Sequence, residues 1–180
     1  MKKILNPIKT SVRKVSEKRK LNRNRGKAFL IHGRDAEAAD WLRCCLDDLD
    51  VLIVRWEDAV RLPSSASPYT LDVVKTGLNA ADIAVVLFSP DEDVSLREKF
   101  RSGQQDIGQQ ARPNVWVEAG MALGLSRDRV VLVQMASCRP ASDLSGLNYI
   151  YMDMNADRGA FLRILENRLQ SCGCRTSIRI

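Results

Sequence analysis

The chain has 180 residues, of which 45% are hydrophobic and 28% are charged, a composition typical of a globular protein rather than a disordered one. No apolar run approaches the ~20 residues of a membrane-spanning helix, and no apolar block follows the charged start as in a secretory signal, so we expect no transmembrane segment. Five cysteines, an odd number, and a single histidine, His32, argue against a secreted disulfide framework and multi-histidine metal sites, so we expect a cytoplasmic protein with no metal ion and no separate cofactor.

The formal charge of +6 is unevenly distributed along the chain. Residues 1–25 hold ten Lys or Arg and one acid, a balance of +9, whereas the remainder has a balance of −3. Apolar residues in this basic arm recur at helical spacing, at Ile4, Ile8, Val12 and Val15. The arm is therefore either a solvated, partly disordered segment or an amphipathic helix that contacts an acidic partner, a nucleic acid or an anionic membrane surface. We divide the chain into this arm, residues 1–26, and one domain, residues 27–180.

Beyond the arm, short apolar runs alternate with segments of helical periodicity. Strands are predicted at residues 27–31, 51–54, 82–88, 129–134 and 149–152. Helices are predicted at residues 36–49, 67–80, 114–124 and 157–170, the first of them capped by Asp35. Residues 56–66 are predicted to form a loop, and residues 91–112 a long surface loop or irregular helix.

This alternation predicts an α/β fold with a doubly wound, mainly parallel, five-stranded sheet and helices on both faces. The continuous apolar run at residues 82–88 indicates a strand that is covered on both faces. Ligands in such folds bind beyond the carboxyl ends of the strands. Two loops are therefore expected at the functional edge, His32-Gly33-Arg34-Asp35 and Ser89-Pro90-Asp91. Because no glycine-rich phosphate loop is present, a dehydrogenase or P-loop NTPase is disfavoured.

One carboxylate stands apart from the others. Residues 114–125 contain a single charged residue, Glu118, and a helix that is apolar almost all round is expected to be buried almost all round. A carboxylate there requires a partner, a cavity or a substrate. The pattern leaves open that Glu118 lies at the helix edge in water or pairs with an arginine. Gly120 and Gly124 are predicted to allow the helix to approach the sheet closely.

A single carboxylate can cleave one kind of N-glycosidic bond without an acid partner. Ordinary glycosidases need two carboxyl groups because the leaving oxygen must be protonated. The nicotinamide of NAD+ is already cationic and leaves as a neutral molecule, so one desolvated carboxylate can stabilise or trap the positive ribose. Glu118 therefore fits scission at the nicotinamide ribose. Trp116, nearby, either stacks on a base or nicotinamide ring or belongs to the core.

Four motifs follow one another along residues 27–170. They are His32-Gly33-Arg34-Asp35, Ser89-Pro90-Asp91, Asn114-Val115-Trp116-Val117-Glu118-Ala119-Gly120 and Asp143-Leu144-Ser145-Gly146-Leu147. In this order they resemble the bacterial TIR-like "predicted nucleotide-binding" domain, the effector module of STING-fused and cyclic-pyrimidine-gated (Pycsar-type) anti-phage proteins. The resemblance implies a flavodoxin-like fold and NAD+ glycohydrolase activity that yields nicotinamide and ADP-ribose or a cyclised form.

The resemblance also implies roles for particular residues. Glu118 matches the catalytic glutamate of the family, and eight residues match substrate-binding positions: His32, Gly33, Arg34, Asp35, Ser89, Asp91, Asn114 and Trp116. A homo-oligomer is expected as the active form. Because 26 residues cannot fold into a sensor domain, gating is expected to come from the arm, from self-association or from a separate activator protein.

Two other functions remain open at this point. Nucleoside deoxyribosyltransferases also use a helix glutamate to attack a sugar carbon, so the chain can be an enzyme of that kind. The second alternative is a non-catalytic TIR-type module that binds a nucleotide or recruits partners as a scaffold.

Overall fold

A computed structural model describes residues 25–61, 69–103, 107–139 and 146–178. The strands are β1 (Lys27–His32), β2 (Leu52–Val54), β3 (Ile83–Phe88), β4 (Glu92–Ser95), β5 (Ile107–Gln110), β6 (Val130–Met135) and β7 (Ile150–Met152). The α-helices are α1 (Ala36–Asp48), α2 (Trp56–Arg61), α3 (Thr70–Ala80), α4 (Pro113–Ser126) and α5 (Arg158–Ser171). The helix predicted for the basic arm and the start predicted for α3 at residues 67 and 68 lie outside the described residues.

In the described ranges, five strands form one sheet in the order β2-β1-β3-β6-β7, and every neighbouring pair is parallel. The predicted doubly wound α/β fold is confirmed, and the five predicted strands begin and end within one residue of their predicted bounds. All six residues of β3 are buried, which confirms that this strand is covered on both faces. No helix in the described part of the chain is both long and apolar enough to cross a bilayer.

Two apolar cores cover the two faces of the sheet. Side chains alternate along β1, so that Ala28 and Leu30 face one core while Phe29 and Ile31 face the other. The helices α1 and α5 pack on the first face, and α2, α3 and α4 pack on the second. As predicted, Asp35 caps α1, because its side chain accepts a hydrogen bond from the Ala38 N–H at 2.9 Å.

Two segments differ from their predicted structure. Residues 56–61, predicted as a loop, form α2, a short helix held by tertiary contact, since Trp56 stacks on Phe29 at 5.9 Å between ring centroids. In the region 91–112, predicted as a long surface loop or irregular helix, β4 and β5 pair as an antiparallel hairpin, and Glu98–Phe100 form one turn of 3-10 helix. Each hairpin strand holds one apolar residue, Val94 or Ile107, so the alternating pattern of a strand is absent from its sequence.

The predicted role of two glycines is wrong. Gly120 and Gly124 lie on the exposed side of α4, and an added Cβ at either would meet nothing within 4 Å. The close approach between helix and sheet occurs instead at Gly77 on α3. A Cβ built there would lie 2.6 Å from Cε2 of Phe29. On the same helix, Val74 and Leu78 are buried in this core, whereas Leu71 is exposed.

Replacing Gly77 should therefore destabilise the fold. For Gly77→Ala we expect a decrease of about 1–3 kcal/mol in the free energy of unfolding, because the new methyl group overlaps the buried Phe29 ring. Chemical denaturation measures this loss. The matched control is Gly120→Ala, which places the same methyl group in open space on a helix and should raise stability by up to about 1 kcal/mol. Equal effects of the two substitutions would contradict the assigned close contact.

Candidate functional site

The loops that follow β1 and β3 meet at the carboxyl edge of the sheet. Oδ1 of Asp91 accepts hydrogen bonds from the backbone N–H groups of Arg34 and Asp35, both at 3.0 Å. Oδ2 of Asp91 packs over Gly33, where an added Cβ would lie 1.8 Å from it. The structure thus brings four predicted site residues together. Asp91 occupies the N-terminal end of α1, a position that favours an anion.

His32 ends β1 and faces α1 rather than α4. Its Nε2 lies 2.7 Å from Nη2 of Arg43, and its Nδ1 lies 2.9 Å from the carbonyl oxygen of Gly33. Because a guanidinium only donates, Nε2 accepts and Nδ1–H donates, which makes the imidazole neutral. Burial lowers the pKa of His32, and the charge of Arg43 lowers it further, against the hydrogen bond to Gly33, which raises it. His32 therefore connects the first loop, through the Gly33 carbonyl, to Arg43 of α1.

A cleft on the β2 side of the sheet does not have Glu118 among its lining residues. It has a volume of about 770 Å³ and runs along β2, where His32, Asp40 and Arg43 contribute to its wall. The side chain of His32 shares a sheet face with Leu30, and α4 packs on the opposite face. The structure therefore does not bring His32 and Glu118 together, although both were predicted to line one site.

Glu118 lies on α4, which buries only one stripe of its surface. Val115 and Ala119 are buried, whereas Val117 is exposed, so the expectation of a helix buried almost all round is wrong. Glu118 itself is half-buried beside this stripe. It makes no hydrogen bond or ion pair with any described residue, and burial raises the pKa of its carboxyl group. Of the two placements that the sequence left open, pairing with an arginine does not occur among the described residues, whereas the half-buried position at the edge of the buried stripe is that of a helix-edge residue.

Asn114 and Trp116 occupy opposite flanks of α4. Asn114 is exposed and precedes Glu118 by four residues, so the two are neighbours on the helix surface. Trp116 stacks on Phe88, with ring centroids 4.2 Å apart, and its indole N–H donates to the carbonyl oxygen of Ala111 at 3.0 Å. These contacts account for Trp116 as a core residue, the second of the two roles that its sequence position left open.

Further polar groups gather at the carboxyl edge, and we name them the edge cluster: Ser89, Asp91, Gln134, Cys138 and Tyr149. Four buried atoms in it have no hydrogen-bond partner among the described residues: Ser89 Oγ, Asp91 Oδ2, Gln134 Oε1 and Tyr149 OH. Cys138 links the members, since its carbonyl oxygen accepts from Gln134 Nε2 at 2.8 Å and its Sγ lies 3.8 Å from the Ser89 carbonyl oxygen. Buried polar atoms are usually paired, so these four atoms stand out within the described part of the chain.

The sequence analysis missed Gln134, Cys138 and Tyr149. The sequence did carry a signal for Gln134. It is the single polar residue in an otherwise apolar strand, Val-Val-Leu-Val-Gln-Met. Burial raises the pKa of the Cys138 thiol and of the Tyr149 phenol, so both stay protonated near neutral pH and can donate. Within the described ranges, no group of three or more His, Cys, Asp or Glu side chains is arranged to hold a metal ion.

The lowered pKa of His32 makes stability depend on pH. The unfolded chain takes up a proton near pH 6.5 and the folded protein only at lower pH. Neutral His32 therefore makes its full contribution to the free energy of unfolding above pH 6.5, and this contribution is lost as the pH falls toward the folded-state pKa. We expect the free energy of unfolding to fall more between pH 7.5 and pH 5 in the wild type than in His32→Gln. Denaturant titrations measure it, and an imidazole pKa at or above 6.5 by NMR would contradict it.

Comparison with known proteins places the chain in a family. The model of the CAP12/Pycsar effector protein TIR domain matches residues 27–154, which include both loops of the carboxyl edge and all of α4. None of the curated proteins matches the chain. Beyond the matched range, α5 packs Leu165 and Leu169 into the core on the α1 face. The resemblance drawn from the four motifs is confirmed, and the chain belongs to the TIR-domain family of CAP12/Pycsar effector proteins.

Proposed function

We propose that this TIR-type effector domain is an NAD+ glycohydrolase that cleaves the bond between nicotinamide and ribose. One observation carries the proposal: Glu118 is a half-buried carboxylate with no hydrogen bond or ion pair to a described residue. A carboxylate kept partly desolvated and unneutralised is suited to a cationic transition state. Membership of an effector family supports a role in defence, with NAD+ as the consumed metabolite.

The proposed reaction needs one protein carboxylate. The bond between ribose C1′ and the pyridinium nitrogen breaks, and its electron pair leaves with neutral nicotinamide. The ionised Glu118 stabilises the positive charge that develops on the ribose. Water then adds to C1′, and its proton passes to Glu118 and on to solvent, which gives ADP-ribose. If a nitrogen of the adenine attacks C1′ instead of water, the product is the cyclised form.

In this proposal, some residues at the carboxyl edge contact the substrate, and others position the first loop. Asn114, one helical turn before Glu118, is placed to hydrogen-bond the same ribose, and the exposed Arg34 offers a cation to the diphosphate. Asp91 and His32 position the first loop through backbone bonds, at Arg34 N and the Gly33 carbonyl respectively. Ser89, with its buried and unpartnered hydroxyl, is available to the ligand in the edge cluster.

We further propose that the active form is a homo-oligomer, with a separate activator protein or the basic arm as the source of gating. In a TIR-type domain with one such carboxylate, a neighbouring copy can cover the open side of the site and exclude water. This part of the proposal is tested by comparing activity over a range of protein concentrations.

Replacing Glu118 tests the proposed chemistry. Glu118→Gln keeps the shape of the side chain but removes its charge, so we expect nicotinamide release from NAD+ to fall by at least about 100-fold. Chromatography of NAD+ incubations at high protein concentration measures it. The matched control is Glu166→Gln, which neutralises a half-buried glutamate on α5 and should leave turnover unchanged.

Two other outcomes would favour other functions. Base exchange on deoxynucleosides, abolished by Glu118→Gln and without NAD+ cleavage, would favour a deoxyribosyltransferase. If concentrated wild type leaves NAD+ intact with every candidate activator, and Glu118→Gln preserves the biological effect of the protein, the domain is a scaffold.

The raised pKa of Glu118 should appear in the pH dependence of cleavage. Because the ionised form stabilises the ribose cation, activity is complete above this pKa and is lost as the pH falls through it. We expect the acidic limb of the kcat/KM profile to lie above pH 4.5, the ordinary value for a glutamate. The limb should keep its position in His32→Gln, which separates it from the titration of His32. A limb that moves with that substitution would contradict the assignment to Glu118.

A further inference from the structure

The first loop contains one peptide group that is hydrogen-bonded on both sides, the group that joins Gly33 to Arg34. Its carbonyl oxygen lies 2.9 Å from Nδ1 of His32, and its N–H donates to Oδ1 of Asp91 at 3.0 Å. The C=O and N–H of a trans peptide point in opposite directions. The two bonds therefore hold the group from opposite sides and fix the plane in which it lies.

The glycine at position 33 explains why this peptide group needs two bonds. No larger residue fits, because a Cβ there would lie 1.8 Å from Oδ2 of Asp91. Glycine also allows the backbone a wider range of dihedral angles than any other residue, so a peptide group beside it rotates more easily. A half-turn of this group would break both bonds and direct the Gly33 carbonyl oxygen at the Asp91 carboxylate. The two bonds oppose that rotation.

The bond on the His32 side depends on which ring nitrogen carries the proton. The Gly33 carbonyl only accepts, so Nδ1 of His32 must be the protonated nitrogen. Nε2 must then be an acceptor, and Nη2 of Arg43 lies 2.7 Å from it. A guanidinium donates and never accepts, so it excludes the other neutral tautomer, in which two N–H groups would face each other. Arg43 thus selects the tautomer that holds the loop.

The guanidinium of Arg43 is itself oriented by a neighbour on α1. Asp40, three residues earlier, pairs with Nη1 of Arg43 at 2.5 Å, and Nη2 of the same group is the one that reaches the imidazole. The Arg43 side chain is 39% exposed, so it keeps contact with solvent while it donates. Asp40, Arg43 and His32 therefore form a continuous chain of polar contacts from the surface of α1 to the first loop.

We propose that Arg43 is a positioning residue for the substrate site, although it lies eleven residues from His32 on a different element. By fixing the tautomer of His32, it fixes the peptide group after Gly33, and with it the direction in which the Arg34 side chain leaves the loop. The effect on the loop follows from the contacts alone. Its consequence for catalysis rests on the proposed function, in which Arg34 offers a cation to the diphosphate of NAD+.

Nitrogen NMR of the full chain tests the effect on the loop, because His32 is the only histidine and its ring signals are those of a single residue. In the wild type we expect a proton on Nδ1 and none on Nε2. Arg43→Met removes the donor but keeps an unbranched stem. The proton should then move in part to Nε2, and hydrogen exchange at the Arg34 amide should become faster. Arg43→Lys, which also only donates, should restore the wild-type pattern.

The matched control removes a different arginine that pairs with α1. Arg158 Nη2 lies 2.7 Å from Oδ2 of Asp48, and Arg158 has no contact with His32. Arg158→Met should therefore leave both the imidazole tautomer and the exchange rate of the Arg34 amide unchanged. This comparison separates the effect on the tautomer from the general loss of one ion pair on the same helix.

Steady-state kinetics test the consequence for the substrate. If the held loop falls to about one fifth of the molecules in Arg43→Met, the KM for NAD+ should rise about 5-fold, since apparent affinity falls with the fraction of competent protein. The value of kcat should change by less than about 2-fold, because saturating substrate draws the protein back to the competent form. Arg43→Lys should return KM to that of the wild type.

Three results would overturn the proposal. They are a wild-type imidazole that carries its proton on Nε2, an Arg43→Met variant that keeps the proton on Nδ1, and a variant that loses it without a change in KM. NAD+ that stays intact with the wild type would contradict the proposed function instead. The NMR measurement would still decide whether Arg43 holds the loop, so the two failures are distinguishable.

Discussion

The carboxylate of Asp91 holds the carboxyl edge of the sheet together. By accepting from two backbone N–H groups at the start of α1, it joins the loop after β3 to the loop after β1. In doing so it fills, with a side chain of the protein itself, the position at which phosphate groups bind in many folds of this kind. This explains why the first loop carries no glycine-rich phosphate motif.

The five strands of the sheet could be located from the sequence because they are short apolar runs, of which β3 is buried along its whole length. Such a run has one stable environment, the interior of a parallel sheet, so local pattern and final structure agree. The hairpin and α2 could not be located, because their stability comes from contacts distant in sequence. Trp56 on Phe29, and Gln109 beside Cys138, are pairings that no local pattern reports. The same limit applies to α4, where apolar composition did not indicate burial, as the exposed Val117 shows.

The candidate site divides in a similar way. Gly33, Arg34, Asp35 and Asp91 could be predicted as a group, because the carboxyl ends of adjacent parallel strands share one edge of the sheet. The side-chain directions could not be predicted. Strand alternation directs His32 to the α1 face, whereas Glu118 belongs to a helix on the other face. Gln134 and Tyr149 enter the site only through the order of strands β3, β6 and β7, a property of the whole sheet.

The hairpin and α4 follow the same central strand, one directly after the other. The chain leaves the sheet after β3, makes an excursion of about twenty residues and returns to begin the helix that carries Glu118. The strands β4 and β5 add nothing to the main sheet, so their side chains can diverge without disturbing either apolar core, whereas Ala111, just before α4, is buried in one of them. A change in the hairpin strands therefore alters the surface next to α4 and leaves the framework of the main sheet unchanged.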